Sequence, residues 1–137
     1  MAKFQSYGID YLLRDYLTSL EFTLLTESQI AMAQAISSPK ITKKMKDEYT
    51  KLVGVKGKEL EISEVLLNMM ELGGFDLNTI NVNYDKVLTT LIQTPSLDYK
   101  GVQELPAVTA SDFRTYIVKL LKETNDEIAA KNQSKKD

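Results

Sequence analysis

The sequence predicts an all-α fold, a single compact domain of five or six helices, with one short β-hairpin around residues 53–62 as the open alternative to a loop. Three observations predict it. Ile62 to Gly74, ISEVLLNMMELGG, laid on about 3.6 residues per turn, confines Glu64, Asn68 and Glu71 to one narrow stripe and is apolar elsewhere, the pattern of a central, wrapped helix. Apolar residues recur at helical spacing in most other long segments. Two boxes of helix-starting form, Thr26 with Gln29 and Thr109 with Asp112, introduce such segments. At 137 residues the chain fits one domain with its own core, and 43% hydrophobic with 26% charged residues is ordinary for a globular protein.

Taken in order, Ile9, Leu12, Leu13, Tyr16, Leu17 and Leu20 have helical spacing and predict a first amphipathic helix, with Arg14, Asp15 and Thr18 outward. Phe22, Leu24 and Leu25 either extend it or form a short strand. A second helix, Glu27 to Ile36, starts at the Thr26 box and carries the small residues Ala31, Ala33 and Ala35, which allow close approach of a neighbour. Ser38-Pro39 interrupts, because proline disfavours helical geometry in the residue before it. A third helix runs from Pro39 to Val53 on Ile41, Met45, Tyr49, Leu52 and Val53, with Lys40, Lys43, Lys44, Lys46, Asp47 and Glu48 around them. Gly54 and Gly57 break it; residues 53–62 are a loop or a hairpin with Leu60 and Ile62 alternating.

The central helix follows, with Ser63 as its N-cap and Gly73-Gly74 supplying the positive φ that ends it. FDLNTINVN, residues 75–83, reads as a loop or irregular connection, since its asparagines compete for backbone hydrogen bonds. Tyr84 to Gln93 is a fifth, short helix ended by Thr94-Pro95, and the aperiodic TPSLDYKGVQELPAV is a long connection of the kind that often carries function. The Thr109 box opens a long final helix in which Phe113, Ile117, Leu120, Leu121 and Ile128 share a face. From Asn125 the composition turns polar, so the expected organisation is a helical domain 1–124 and a frayed tail 125–137.

Composition narrows the chemistry. Without cysteine there is no disulfide or thiolate, and without histidine the usual proton shuttle and commonest metal ligand are missing. That excludes most enzyme classes, and we expect no catalytic, cofactor-binding or metal-binding residues. Glu64 with Glu71, and Asp10 with Asp15, are acidic pairs that read as solvated residues, since no phosphate-binding glycine loop, nucleophile elbow or calcium loop accompanies them. A net charge of −2 and a pI near 5.3 weigh against broad capture of nucleic acid. MAKFQSYGID has no apolar run, which predicts no signal peptide, and no segment is long enough for a membrane span, so a soluble intracellular protein is expected.

Three features point to binding. Gly54 and Gly57, with Lys56 and Lys58, make a G-x-x-G between helical segments, as in KH modules that clamp single-stranded nucleic acid; the bland reading is a glycine-punctuated connection. The lysines of 40–46 read as a solvated face or as a patch for an acidic partner. Methionines and seven tyrosines supply more adaptable apolar residues than one small core needs, and such surfaces suit helical partners. Leu97, Tyr99 and Val102 in the long connection, and Met45 and Tyr49, are the candidate contact residues.

The later half, FDLNTINVNYDKVLTTLIQTPSLDYKGVQELP followed by VTASDFRTYIVKLLKETNDEIAAKNQSKKD, carries a likeness of size, element order and wording. By it the chain resembles the small tail assembly chaperones of siphophages of Gram-positive bacteria, the tape-measure-protein chaperone of lactococcal phages in particular. The resemblance implies a non-enzymatic protein of the host cytoplasm that binds the long, helical tape measure protein, keeps it soluble and helps tail-tube subunits assemble around it. Since one copy covers little of so long a client, it also implies a homo-oligomer, a ring or spiral.

Overall fold

The structure is a computed structural model describing residues 1–74 and 76–134. Helices dominate, but the chain is not all-α: six helices accompany a three-stranded antiparallel sheet among the described residues. The elements are β1 (Ala2–Ser6), β2 (Ile9–Leu13), α1 (Ser19–Ile36), α2 (Lys43–Leu52), α3 (Glu59–Leu72), α4 (Leu77–Leu91), β3 (Ile92–Thr94), α5 (Tyr99–Gln103) and α6 (Ala107–Ser134). They form two compact units. One comprises Met1–Leu25 and the chain from Val82 onward, the other Thr26–Asn81, so the division falls within α1 and within α4.

In the first unit the chain begins with a hairpin where the sequence predicted a helix from Ile9. Its two-residue loop, Tyr7-Gly8, has φ of +52° and +74°, the paired positive values of a type I′ turn, whose twist matches that of the strands it joins. Pairing runs from Ser6 opposite Ile9 to Ala2 opposite Leu13, and β3 joins the far side of β2 with Leu13 opposite Ile92. Strand order is β1-β2-β3. Period-2 alternation sends Phe4, Tyr11 and Leu13 inward and leaves Lys3, Gln5 and Asp10 outside. Only Tyr16, Leu17 and Leu20 of the expected first helix remain, and they lie in the connection and at the start of α1.

Phe113 of α6 is the hub beneath the sheet. It is fully buried, with Phe4 and Tyr11 edge-on at centroid distances of 5.3 and 5.1 Å, and Tyr116 sits 5.3 Å from Phe4. Such edge-to-face pairs add about 0.5–1.5 kcal/mol each beyond area burial. Val87, Leu88, Leu91, Ile117 and Leu121 complete the centre, and Ile92, expected as helix, fills it from β3. The box at Thr109 does not open α6, which begins at Ala107 after Pro106; Thr109 is buried and its hydroxyl lies 2.6 Å from that of Ser6, tying β1 to the helix. α6 continues to Ser134, so the polar stretch from Asn125 prolongs the helix; Lys135 to Asp137 lie outside the described residues.

α1 is one helix, with Thr26 in its interior, so the box at Thr26 and Gln29 does not act. The box that does is Thr18-Ser19-Leu20-Glu21. The Glu21 amide donates to Thr18 Oγ1 at 3.2 Å while the Thr18 amide donates to Glu21 Oε1 at 2.8 Å, so two orphan donors of the first turn are satisfied reciprocally.

In the second unit Ala35, Ile41, Met69, Met70 and Ile80 are buried. α2 starts after Thr42, whose hydroxyl accepts from the Met45 amide at 3.2 Å, rather than at Pro39, which stands in a turn. Residues 53–58 are turns between α2 and α3, not a hairpin, and α3 begins at Glu59 instead of at Ser63, whose hydroxyl donates back to the Glu59 carbonyl within the helix. Of the terminal glycine pair, Gly74 takes φ +81° but Gly73 does not. Gly73 is needed for space: a Cβ there would lie 2.2 Å from the Ala35 carbonyl oxygen. The stretch expected as a loop after it is mostly helix. Asp76 caps α4, accepting from the Asn78 amide at 2.9 Å, while Phe75 lies outside the described residues.

Candidate protein-contact surfaces

The first unit carries a groove of about 550 Å³ lined by Thr18, Leu20, Glu21 and Leu24 from the start of α1, Lys86, Thr89 and Thr90 from α4, and Tyr99 from α5. Three local devices set its walls. The capping box orients the first turn of α1 and leaves Leu20 68% exposed at the rim. Asn83 Nδ2 donates to the Leu24 carbonyl at 3.2 Å, holding α4 to α1. Asp98 caps α5, accepting from the Gly101 amide at 2.7 Å, which brings Tyr99 to the groove and turns Val102 inward.

The floor is held by a buried charge network. Glu21 accepts from Arg14 Nη1 at 2.6 Å, from the Thr18 amide and from the Thr90 hydroxyl, and Arg14 Nη2 donates to the Thr90 carbonyl at 2.8 Å. Burial alone pushes the Glu21 carboxyl up, but the hydrogen bonds from Thr90, Thr18 and Arg14 together outweigh it and hold its pKa below the ordinary glutamate value. With its oxygens so engaged, Glu21 is a strut of the groove wall. The apolar side chains and the exposed Lys86 ammonium are what the groove offers a ligand. On the other side of α4, Tyr84 is raised by burial, opposed by the Arg114 guanidinium 5.4 Å above its ring.

The second unit offers α3. Its apolar residues surround most of the helix, yet only Met69 and Met70 are buried. Leu60, Leu67 and Leu72 are 75%, 36% and 45% exposed, and Val53 and Val55 in the preceding turns are 50% and 45% exposed. The helix expected at the centre of a core therefore shows apolar side chains to solvent. α2 packs against it and has no buried residue; Met45 and Tyr49 are half-buried, and Lys43, Lys44 and Lys51 lie beside Asp47 and Glu48 on its outer side.

Of the candidate contact residues, Tyr99 is half-buried in the groove, Leu97 is half-buried against the core, and Met45 and Tyr49 belong to the other unit. Val102 is no surface residue: at 3% exposure it packs in the core, because the Asp98 cap winds a helical turn that the aperiodic wording hid. Sequence reasoning missed Leu20 and Leu24 as groove residues and Leu60, Leu67 and Leu72 as exposed ones. The signal for the first pair was Thr18 three residues before Glu21. Gly54 and Gly57 lie in the turns joining α2 to α3, where Lys58 Nζ pairs with Glu61 at 3.2 Å.

No helix among the described residues is long and apolar enough to cross a membrane, and none of their acidic groups cluster in threes as a metal site would require. No protein-family model, curated protein or solved structure matches the chain.

Proposed function

We propose that the protein is a siphophage tail assembly chaperone that binds the tape measure protein and keeps it soluble while the tail tube assembles, acting through protein contacts without catalysis. One observation supports the contact reading above all: α3, an apolar helix, buries only Met69 and Met70 and leaves Leu60, Leu67 and Leu72 uncovered. Large apolar side chains left in water on one helix suit a protein contact, and a helical partner with an apolar stripe is an occupant they fit. The resemblance of residues 75–137 to these chaperones supplies the identity of the partner, and the host cytoplasm follows as the place of action.

The test is co-expression with the tape measure protein encoded nearby, followed by size-exclusion chromatography with light scattering. The expected result is a client that is soluble only with this chain and elutes with several copies of it. A client that stays insoluble in its presence overturns the proposal.

A further inference from the structure

The solvent side of α3 alternates between apolar and acidic residues. Leu60, Glu64, Leu67 and Glu71 follow one another at spacings of four, three and four residues, which sets them in one line along the helix, on the side away from the buried Met69. All four are exposed. The line runs for roughly 16 Å at 1.5 Å per residue. Its spacing is that of a heptad seam, with leucine at one seam position and glutamate at the other. α3 holds four glutamates and no lysine or arginine. Two of the four are engaged at its start: Glu59 Oε1 accepts from the Gly57 amide at 3.4 Å, and Glu61 pairs with Lys58 at 3.2 Å. Glu64 and Glu71, the two on the line, have no ion-pair partner among the described residues.

We propose that α3 selects a basic amphipathic helix, one whose own seam alternates apolar residues with lysine or arginine, so that Leu60 and Leu67 meet apolar side chains and Glu64 and Glu71 each meet a cation. This rests on the reading that α3 is the client face, and it states which client segments that face takes. Leucine and glutamate are interleaved, so any partner that covers the leucines also draws the two carboxylates out of water. A wholly apolar seam would leave each carboxylate uncompensated, and an acidic one would add repulsion. A lysine or arginine supplies the opposite charge, and its methylene stem covers the neighbouring leucine. The same order of residues works against a second α3 as occupant: laid parallel, glutamate falls on glutamate, and laid antiparallel, glutamate falls on leucine. Nucleic acid and anionic lipid are repelled by the same carboxylates. The leucines supply contact area, and the glutamates decide which helix is accepted.

Fluorescence anisotropy of two labelled helical peptides of about 21 residues, titrated with the full chain, tests this. One peptide carries leucine at one seam position and lysine at the other; in its twin, glutamine replaces each lysine. The expected result is roughly fivefold tighter binding of the lysine peptide, the scale of two exposed ion pairs, with the preference shrinking as salt is added. The double substitution Glu64→Gln, Glu71→Gln removes the preference, with circular dichroism to confirm its fold; should it fail to fold, each single substitution reduces the preference. Glu123→Gln with Glu127→Gln, on α6, removes the same formal charge and keeps the preference. Equal affinity for the two peptides, or binding of neither, overturns the proposal. So does a preference that survives the loss of Glu64 and Glu71, or one that falls as far with Glu123 and Glu127. No client protein enters this test, so the proposal can fail while the client is still made soluble, and an insoluble client leaves the peptide preference standing.

Discussion

Arg14 Nη1 and Glu21 Oε1 meet at 2.6 Å, with the Glu21 side chain 3% and the Arg14 side chain 12% exposed. One carboxylate thereby serves the start of α1, through the Thr18 amide, and α4, through the Thr90 hydroxyl, while Arg14 extends from the end of β2. Removing one partner of such a pair leaves the other charge buried without compensation, which costs about 3–5 kcal/mol. Glu21→Ala is expected to lose about that much in urea unfolding. A loss under about 1 kcal/mol, the range of exposed pairs, would show that the network contributes little.

The same network makes stability acid-sensitive. The folded Glu21 pKa lies below the ordinary 4.5, so its contribution is complete above about that pH and is lost as pH falls through the lower folded value. Unfolding free energy compared between neutral pH and acid is expected to fall more steeply in the unmodified chain than in Glu21→Gln. Equal slopes would place the acid sensitivity elsewhere.

Gly73 sits against the backbone of Ala35, where an added Cβ would approach the carbonyl oxygen to 2.2 Å. The neighbour is main chain and cannot swing aside as a side chain could. Gly73→Ala is therefore expected to destabilise by several kcal/mol, in the range of overpacked sites. Gly74→Ala meets no neighbour and costs only the strain of φ +81°, about 1 kcal/mol. Thermal unfolding of the two variants checks the order; the reverse order would refute the close approach.

Thr26 lies inside α1 with its hydroxyl buried and unpartnered. Valine keeps the shape and removes the unsatisfied group, so Thr26→Val is expected to stabilise by about 1 kcal/mol. A fall in melting temperature would mean that the hydroxyl has a partner after all.

What the sequence made legible and what it hid divide along one physical line. α6 showed itself because Phe113, Ile117, Leu120 and Leu121 keep one face over several turns, a signal that short elements cannot give. β2 has five residues, and Ile9, Leu12 and Leu13 combine with Tyr16, Leu17 and Leu20 into a helical spacing that in fact spans a strand, a connection and a helix start. The turn that marks the hairpin is Tyr7-Gly8 rather than the usual Asn-Gly, so its strongest local cue was absent. Of the capping-box forms at Thr18, Thr26 and Thr109, only the one at Thr18 stands where the chain enters a helix, which tertiary contacts with Arg14 and Thr90 decide. The exposed side of α3 was hidden for a different reason. Periodicity reports how apolar a helix is, and burial depends on what other elements supply to cover it.

That uncovered side carries the last prediction. Leu60 is three-quarters and Leu67 about one-third exposed, so replacing both by serine removes apolar contact area at a cost of about 1–2 kcal/mol in all, most of it at Leu67. If α3 holds the client, the Leu60→Ser, Leu67→Ser double variant still folds cooperatively yet leaves the tape measure protein insoluble on co-expression. Leu20→Glu, in the groove of the other unit, should still solubilise the client. Full solubilisation by the α3 double variant would move the client off this helix, and loss of solubilisation by Leu20→Glu alone would move it to the groove.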